Sequence, residues 1–213
     1  MDCKEHIAVV ALLCCASGAV QTALVHRATV PGLDAVRFAR LAQAIDRDGL
    51  LPTLRVQREQ PLFPVCVWAV HGAITHVAGD FRSAWALSVQ WAAATALVLA
   101  VVPIYFLSMR LWGAGAAMVG SLLFCVLPEV ARLGADGLSD STHLLFFALA
   151  LWAVVEYLRV QGSGFRVQES GVRGQGPGER AGGSVVWLLA AGMATGLAAL
   201  TRAEVLVLPV ALA

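Results

Sequence analysis

Charge is what this sequence has least of. Asp, Glu, Lys and Arg make up 14% of its 213 residues, where an ordinary soluble domain carries about a quarter. That is too little to wet the surface of a water-soluble fold of this length. The charges that exist nearly cancel, at a net +1, so no acidic or basic bias points to nucleic acid as a partner. Metal-ligand and disulfide spacings are missing as well. Cys3, Cys14, Cys15, Cys66 and Cys125 mostly stand inside apolar runs and read as small buried hydrophobes.

What is there is hydrocarbon. Apolar residues make up 59% of the chain, with a mean hydropathy of +0.75. For most of its length they are not dispersed in the alternating or helical periods of a half-wetted element. They come in long runs that are apolar on every side, and the charges fall between the runs, so lipid is the solvent. The expected fold is all-α: a polytopic transmembrane helix bundle with an amphipathic interfacial helix in its first outer loop.

The first run is Ile7 to Val25. Ala16-Ser17-Gly18-Ala19 has the small residues of a signal-peptidase site, but the preceding Asp2, Lys4 and Glu5 are not a basic leader. Further runs follow, which favours a retained anchor. In the polar stretch from His26 to Gln60, Pro31-Gly32 breaks the chain and Asp34 opens a helix. Phe38, Leu41, Ala42 and Ile45 form one apolar stripe, with Arg37, Arg40 and Arg47 on the other side. This pattern suits a short helix lying among lipid headgroups and ending near Asp48-Gly49. Spans are expected at about 7–25, 84–109, 114–131, 141–158 and 184–201, each approaching the ~20 residues of a crossing. Pro61 to Gly79 is a poorer candidate, broken by Pro61, Pro64, His71, Gly72 and His76, and reads as interfacial or half inserted.

Residues 159–183 differ in kind. RVQGSGF, RVQESGV and RGQGPGE repeat with Arg159, Arg166, Arg173 and Arg180 in phase. Glycine is frequent and heptad apolar pairs are absent, so a flexible inserted loop is expected rather than a coiled coil. Val205 to Ala213 begins a further apolar run and stops about halfway across a bilayer. The chain is therefore expected to be the amino-terminal part of a longer protein.

Four segments, taken in order, resemble the membrane glycosyltransferases of the GT-C superfamily, related to protein O-mannosyltransferases and lipid A aminoarabinose transferases. PGLDAVRFARLAQAI is similar to that family's Asp-Glu…Tyr…Ala pattern in the first outer loop, and EQPLFPVCVWAVHGAI to its Pro-Leu-Tyr-Pro stretch. ARLGADGLSDSTHLLFFALALW resembles the segment with an acidic residue before the fourth span. GLAALTRAEVLVLP resembles the Gly-Leu-Ala…Thr-Arg-Pro-Glu-Gly signature. Ala35, Phe38 and Ala203 depart from the Glu, Tyr and Pro usual at those places.

The resemblance implies an inverting transferase that moves a sugar from a polyprenyl-phosphate donor to the hydroxyl of a glycan, lipid or protein acceptor. The work would be done at the outer face of a bacterial-type inner membrane. Asp34 would be the general base, at the interface where a lipid-anchored donor presents its headgroup. From the residues alone, an Asp after Pro-Gly is an ordinary helix N-cap. Asp140, with Asp136 nearby, would support the base or merely cap the next helix. His143 could donate to a substrate hydroxyl. Arg202 would engage the donor phosphate, since a guanidinium matches phosphate oxygens in pairs; as a boundary arginine it would otherwise snorkel to headgroups. Arg58 and Glu59 are weaker binding candidates.

Asp46-Arg47-Asp48 spells an Asp-x-Asp but follows no strand, so no metal ligand is assigned from it. No cofactor is indicated, and dependence on a divalent metal stays open. Arginine counts do not settle orientation by the positive-inside rule. An inside N-terminus with a non-crossing Pro61–Gly79 is the arrangement expected, because the outer arginines are interleaved with Asp34, Asp46, Asp48 and Glu59. The rivals are a transporter or permease fragment and a non-catalytic membrane protein.

Overall fold

The computed structural model describes residues 3–28, 32–56, 60–78, 84–169 and 177–201. Among them all regular structure is α-helical. The helices are α1 (Cys3–Arg27), α2 (Leu33–Asp48), α3 (Leu50–Val56), α4 (Leu62–Ala78) and α5 (Ala84–Trp112), followed by α6 (Ala114–Val126), α7 (Pro128–Ala135), α8 (Asp140–Glu169) and α9 (Pro177–Ala199).

Three of them are long and apolar enough to cross a bilayer: Lys4–Arg27, Ala84–Trp112 and Asp140–Gln161. Large apolar side chains point outward along the bundle, with Leu12, Trp112 and Met193 each 71% exposed. Water would not tolerate that surface on a monomer, whereas lipid does. The span expected over 114–131 is bent rather than straight. α6 and α7 meet at a break and diverge by 54°. Pro128 has no N–H to continue the ladder, and its ring drives Leu127 to an extended φ −61, ψ 120. The run expected at 184–201 forms a shorter apolar helix, Val185–Ala199. α8 does not stop near Leu158 but runs to Glu169. It carries Gly162 and Gly164 at about 1 kcal/mol each relative to alanine. Of the repeat stretch, 170–176 lie outside the described residues.

α5 is the hub. Half of its apolar window is buried, against 17% for α1 and 22% for α8. α1 packs on it antiparallel, since His6 reaches Tyr105 (Nδ1 to hydroxyl, 2.8 Å) while the Cys14 thiol points at Val98 O. The two helices therefore place α1's end and α5's start on one side. α8 runs parallel to α5, with Trp152 stacked on Phe106 and, one turn on in each helix, Glu156 paired with Arg110. α9 returns antiparallel, with Trp187 against Trp152 and Thr201 beside His143.

α4 lies along the first third of α5. Phe63 and Val67 share a core with Val89, Ala92 and Ala93, and His71 stacks on Trp85 and bonds Ser88 Oγ at 3.2 Å. The apolar stripe of α2 joins the same core through Ala35, Ala39 and Ala42, with Leu41 and Ile45 also buried. It thus packs on protein and is not open to acyl chains, as a free headgroup helix would be. Gly49 ends α2 at φ 89 and sends its N–H to Ile45 O. Of the cysteines, Cys125 is buried, Cys14 and Cys66 are half-buried and Cys15 is exposed. Cys15 is therefore no core residue but part of the outer face of α1, where a small apolar thiol suits lipid.

Close approach at α7 depends on Gly134. A Cβ there would collide with the Gln21 amide and lie 3.1 Å from Ala94 Cα, a backbone atom that cannot swing aside. Gly134→Ala is expected to destabilise the bundle by about 1–3 kcal/mol. A lowered thermal midpoint in detergent would register this, and an unchanged midpoint would refute the tight packing.

Candidate functional site at one end of the bundle

The α1–α2 and α7–α8 connections, a hundred residues apart in sequence, meet on the side where α5 begins. The Gly32 N–H points to Asp136 O at 3.4 Å. Gly137 makes the turn out of α7 at φ +69, and a Cβ on it would fall 2.7 Å from Val89 Cγ1 and 3.2 Å from Ala35 Cβ. Gln90 Nε2 donates to Ala135 O at 2.8 Å, which ties the turn to α5. The first turn of α2 and the first turn of α8 are thereby held at the same end. An acidic side chain in each opens a helix whose dipole is positive there.

Asp34 sits in that first turn of α2 and is exposed. It is not the N-cap: Gly32 holds that place, with no side-chain cap bond. Asp140 is not a cap either. The Ser139 carbonyl receives the His143 N–H at 3.0 Å, so Ser139 caps α8 and Asp140 is the first helical residue. Neither aspartate occupies the cap assigned to it as its ordinary structural role. Asp136 ends α7 as its C-cap. His143 Nδ1 lies 3.2 Å from Thr201 Oγ1, whose own hydroxyl also reaches Ala198 O at 2.6 Å. The hydroxyl proton serves the carbonyl, so the imidazole N–H is the donor to Thr201. Next to it, Thr142 is 2% exposed and its Oγ1 has no partner among the described residues.

Thr201 immediately precedes Arg202, which lies outside the described residues together with Arg58 and Glu59. The structure therefore places the helix turns that carry Asp34, Asp136, Asp140 and His143 at one end of the bundle. Nothing in the sequence tied Gly32 to Asp136. The Asp136-Gly137 pair was a legible turn signal, but its partner across the fold was not.

The Asp-x-Asp is occupied otherwise. Trp68 Nε1 donates to Asp46 at 3.1 Å, and Arg47 meets Asp48 through Nε and a terminal nitrogen at 3.0 and 3.1 Å. That hydrogen-bonded guanidinium holds the Asp48 carboxyl below its ordinary range. Among the described residues no three His, Cys, Asp or Glu side chains converge as a metal site.

Sequence reasoning missed a second polar cluster at the opposite end. Glu156, 6% exposed within α8, pairs with Arg110 Nε. It also accepts from Arg159 at 3.4 Å and from Trp152 Nε1 at 3.4 Å. A Glu four residues after a Trp and three before an Arg on one helix was the available signal. No family model, curated protein or solved structure matches the chain.

Proposed function

We propose that this chain belongs to an inverting membrane glycosyltransferase that works at the water–lipid boundary on a polyprenyl-phosphate sugar. The observation that carries the reading is the junction of Gly32 with Asp136, which groups Asp34, Asp140 and His143 at one end of an apolar bundle. In the proposed reaction Asp34 takes the proton of the acceptor hydroxyl. The acceptor oxygen attacks the anomeric carbon from the face opposite the phosphate, and that carbon's bond to the phosphate oxygen breaks. The electron pair leaves on the phosphate, where Arg202 balances its charge. Asp140 and His143 orient the acceptor. The acceptor would be a glycan, lipid or protein hydroxyl, and the setting a bacterial-type inner membrane with this end outward.

A transporter would need ionisable groups in mid-membrane. Glu156 lies about 24 Å along α8 from Asp140, towards the far end of the apolar stretch Asp140–Gln161, and its charge is paired there. An interfacial enzyme accounts better for carboxylates gathered at one end.

The direct test is release of polyprenyl phosphate from a polyprenyl-phosphate hexose by proteoliposomes holding the chain. Topology gives an independent one. Cysteines placed by Asp34→Cys, Asp140→Cys and Arg202→Cys should all react with an impermeant maleimide added to one face, and Lys4→Cys only from the other. Labelling of positions 34 and 202 from opposite faces would break the shared site.

A further inference from the structure

The end of the bundle away from Asp34 carries a built arrangement of a different kind. Around Glu156 gather the Arg110 and Arg159 guanidiniums and the Trp152 indole. About ten guanidinium N–H donors and one indole N–H face a single carboxylate with about four acceptor positions. Among the described residues the cluster has an excess of both donors and positive charge, and the Arg110 and Arg159 side chains are 35% and 52% exposed.

Trp152 belongs to a second feature as well. With Leu149, Trp187, Ala190, Met193 and Ala194 it lines a groove between α8 and α9 of about 220 Å³. Its walls are apolar throughout, and it starts beside the arginines and runs back towards Phe146 and Leu197. The volume is below the roughly 300–1,000 Å³ of a pocket for a whole small-molecule ligand. It suits a stretch of hydrocarbon chain that continues outside.

We infer that this is a binding site for an anionic phospholipid, with one acyl chain in the α8–α9 groove and the headgroup phosphate on Arg110 and Arg159. The charge decides for this occupant over a zwitterionic lipid or a partner helix. The groove opens next to two guanidiniums that share one carboxylate, and guanidiniums bind phosphate oxygens in pairs. The Trp152 indole belongs to both features, so the groove opens directly beside the arginines. Glu156 orients the two arginines and reduces their net charge. The site stands whether or not the opposite end transfers sugar.

Native mass spectrometry of the detergent-purified chain, titrated with dioleoylphosphatidylglycerol or dioleoylphosphatidylcholine, tests this. Phosphatidylglycerol should be retained more tightly. Arg159→Gln, an exposed change that leaves the pair of Arg110 and Glu156 in place, should weaken it about fivefold, the effect of one basic residue near a charged lipid surface. Glu156→Gln should strengthen phosphatidylglycerol retention by a similar factor and leave phosphatidylcholine unchanged, a gain that a purely structural ion pair would not give. Ala190→Trp should fill the groove and reduce retention of both lipids. Equal retention of the two lipids, indifference to Arg159→Gln, or full displacement of the lipid by millimolar inorganic phosphate would overturn the assignment.

Discussion

Replacing Asp34 by Asn should reduce sugar transfer by about 10²–10⁴-fold, the usual contribution of a positioned general base, while the bundle keeps its melting behaviour. Asn preserves the size and polarity of the side chain but cannot take up the acceptor proton. Asp34 is exposed, so it supports no core. Its interaction with the helix dipole is worth about 0.3–1 kcal/mol, too little to unfold the protein. Activity and stability should therefore separate at this residue. Release of polyprenyl phosphate and thermal unfolding, measured on the same preparation, report the two independently. Transfer at the wild-type rate would remove Asp34 from the chemistry. Parallel loss of activity and stability would make it a structural residue instead.

The complementary change is Gly137→Val, which should do the reverse and act through the fold. At φ +69 a side chain is disfavoured by roughly 1–2 kcal/mol. The new Cβ would also press on Val89 Cγ1 at 2.7 Å and Ala35 Cβ at 3.2 Å, which adds about 1–3 kcal/mol of overpacking. A destabilisation of about 2–5 kcal/mol is expected, visible as a large fall in thermal midpoint. Relief would come by moving α2 away from the α7–α8 turn, because Ala35 is the contact that belongs to α2. Variants stable enough to purify should then have lost the register between Gly32 and Asp136 and, with it, transfer. A crosslink between Gly32→Cys and Asp136→Cys, formed in the parent and absent with Gly137→Val, would show that displacement. Retained crosslinking and stability would mean that the turn has slack that its geometry does not suggest.

The two variants probe one arrangement from opposite sides. In the proposed reaction Asp34 supplies a functional group that the fold can do without, and Gly137 a backbone shape on which that group's placement depends. Their effects should not add when combined, since a displaced α2 leaves nothing for the Asp34 change to remove.

Local chemistry was legible in the chain. Runs without charge must become helices in lipid, because only a helix satisfies its own backbone there. The long cores of α1, α5 and α8 follow from that alone. The 3.6-residue stripe and the Gly49 stop placed α2 within one residue at its start and at its end. The α6–α7 break was legible too, in Pro128 and in the charges Glu129 and Arg132 that follow it.

What remained for the tertiary structure was the choice of neighbour. An apolar stripe is equally content against acyl chains or protein, so its pattern could not say that Ala35, Ala39 and Ala42 turn towards Phe63 and Val89. A charge within a span does not name its partner, and so the pairing of Glu156 with Arg110 stayed hidden until α5 and α8 were seen to run parallel. The meeting of Gly32 with Asp136 likewise depends on α5 holding both connections at its first turns. Composition and periodicity determined that this is a bundle of apolar helices with polar material between them. Packing around α5 alone decided which of that polar material shares an end, because contact between distant segments is set by the shapes that fit and not by the hydropathy of either.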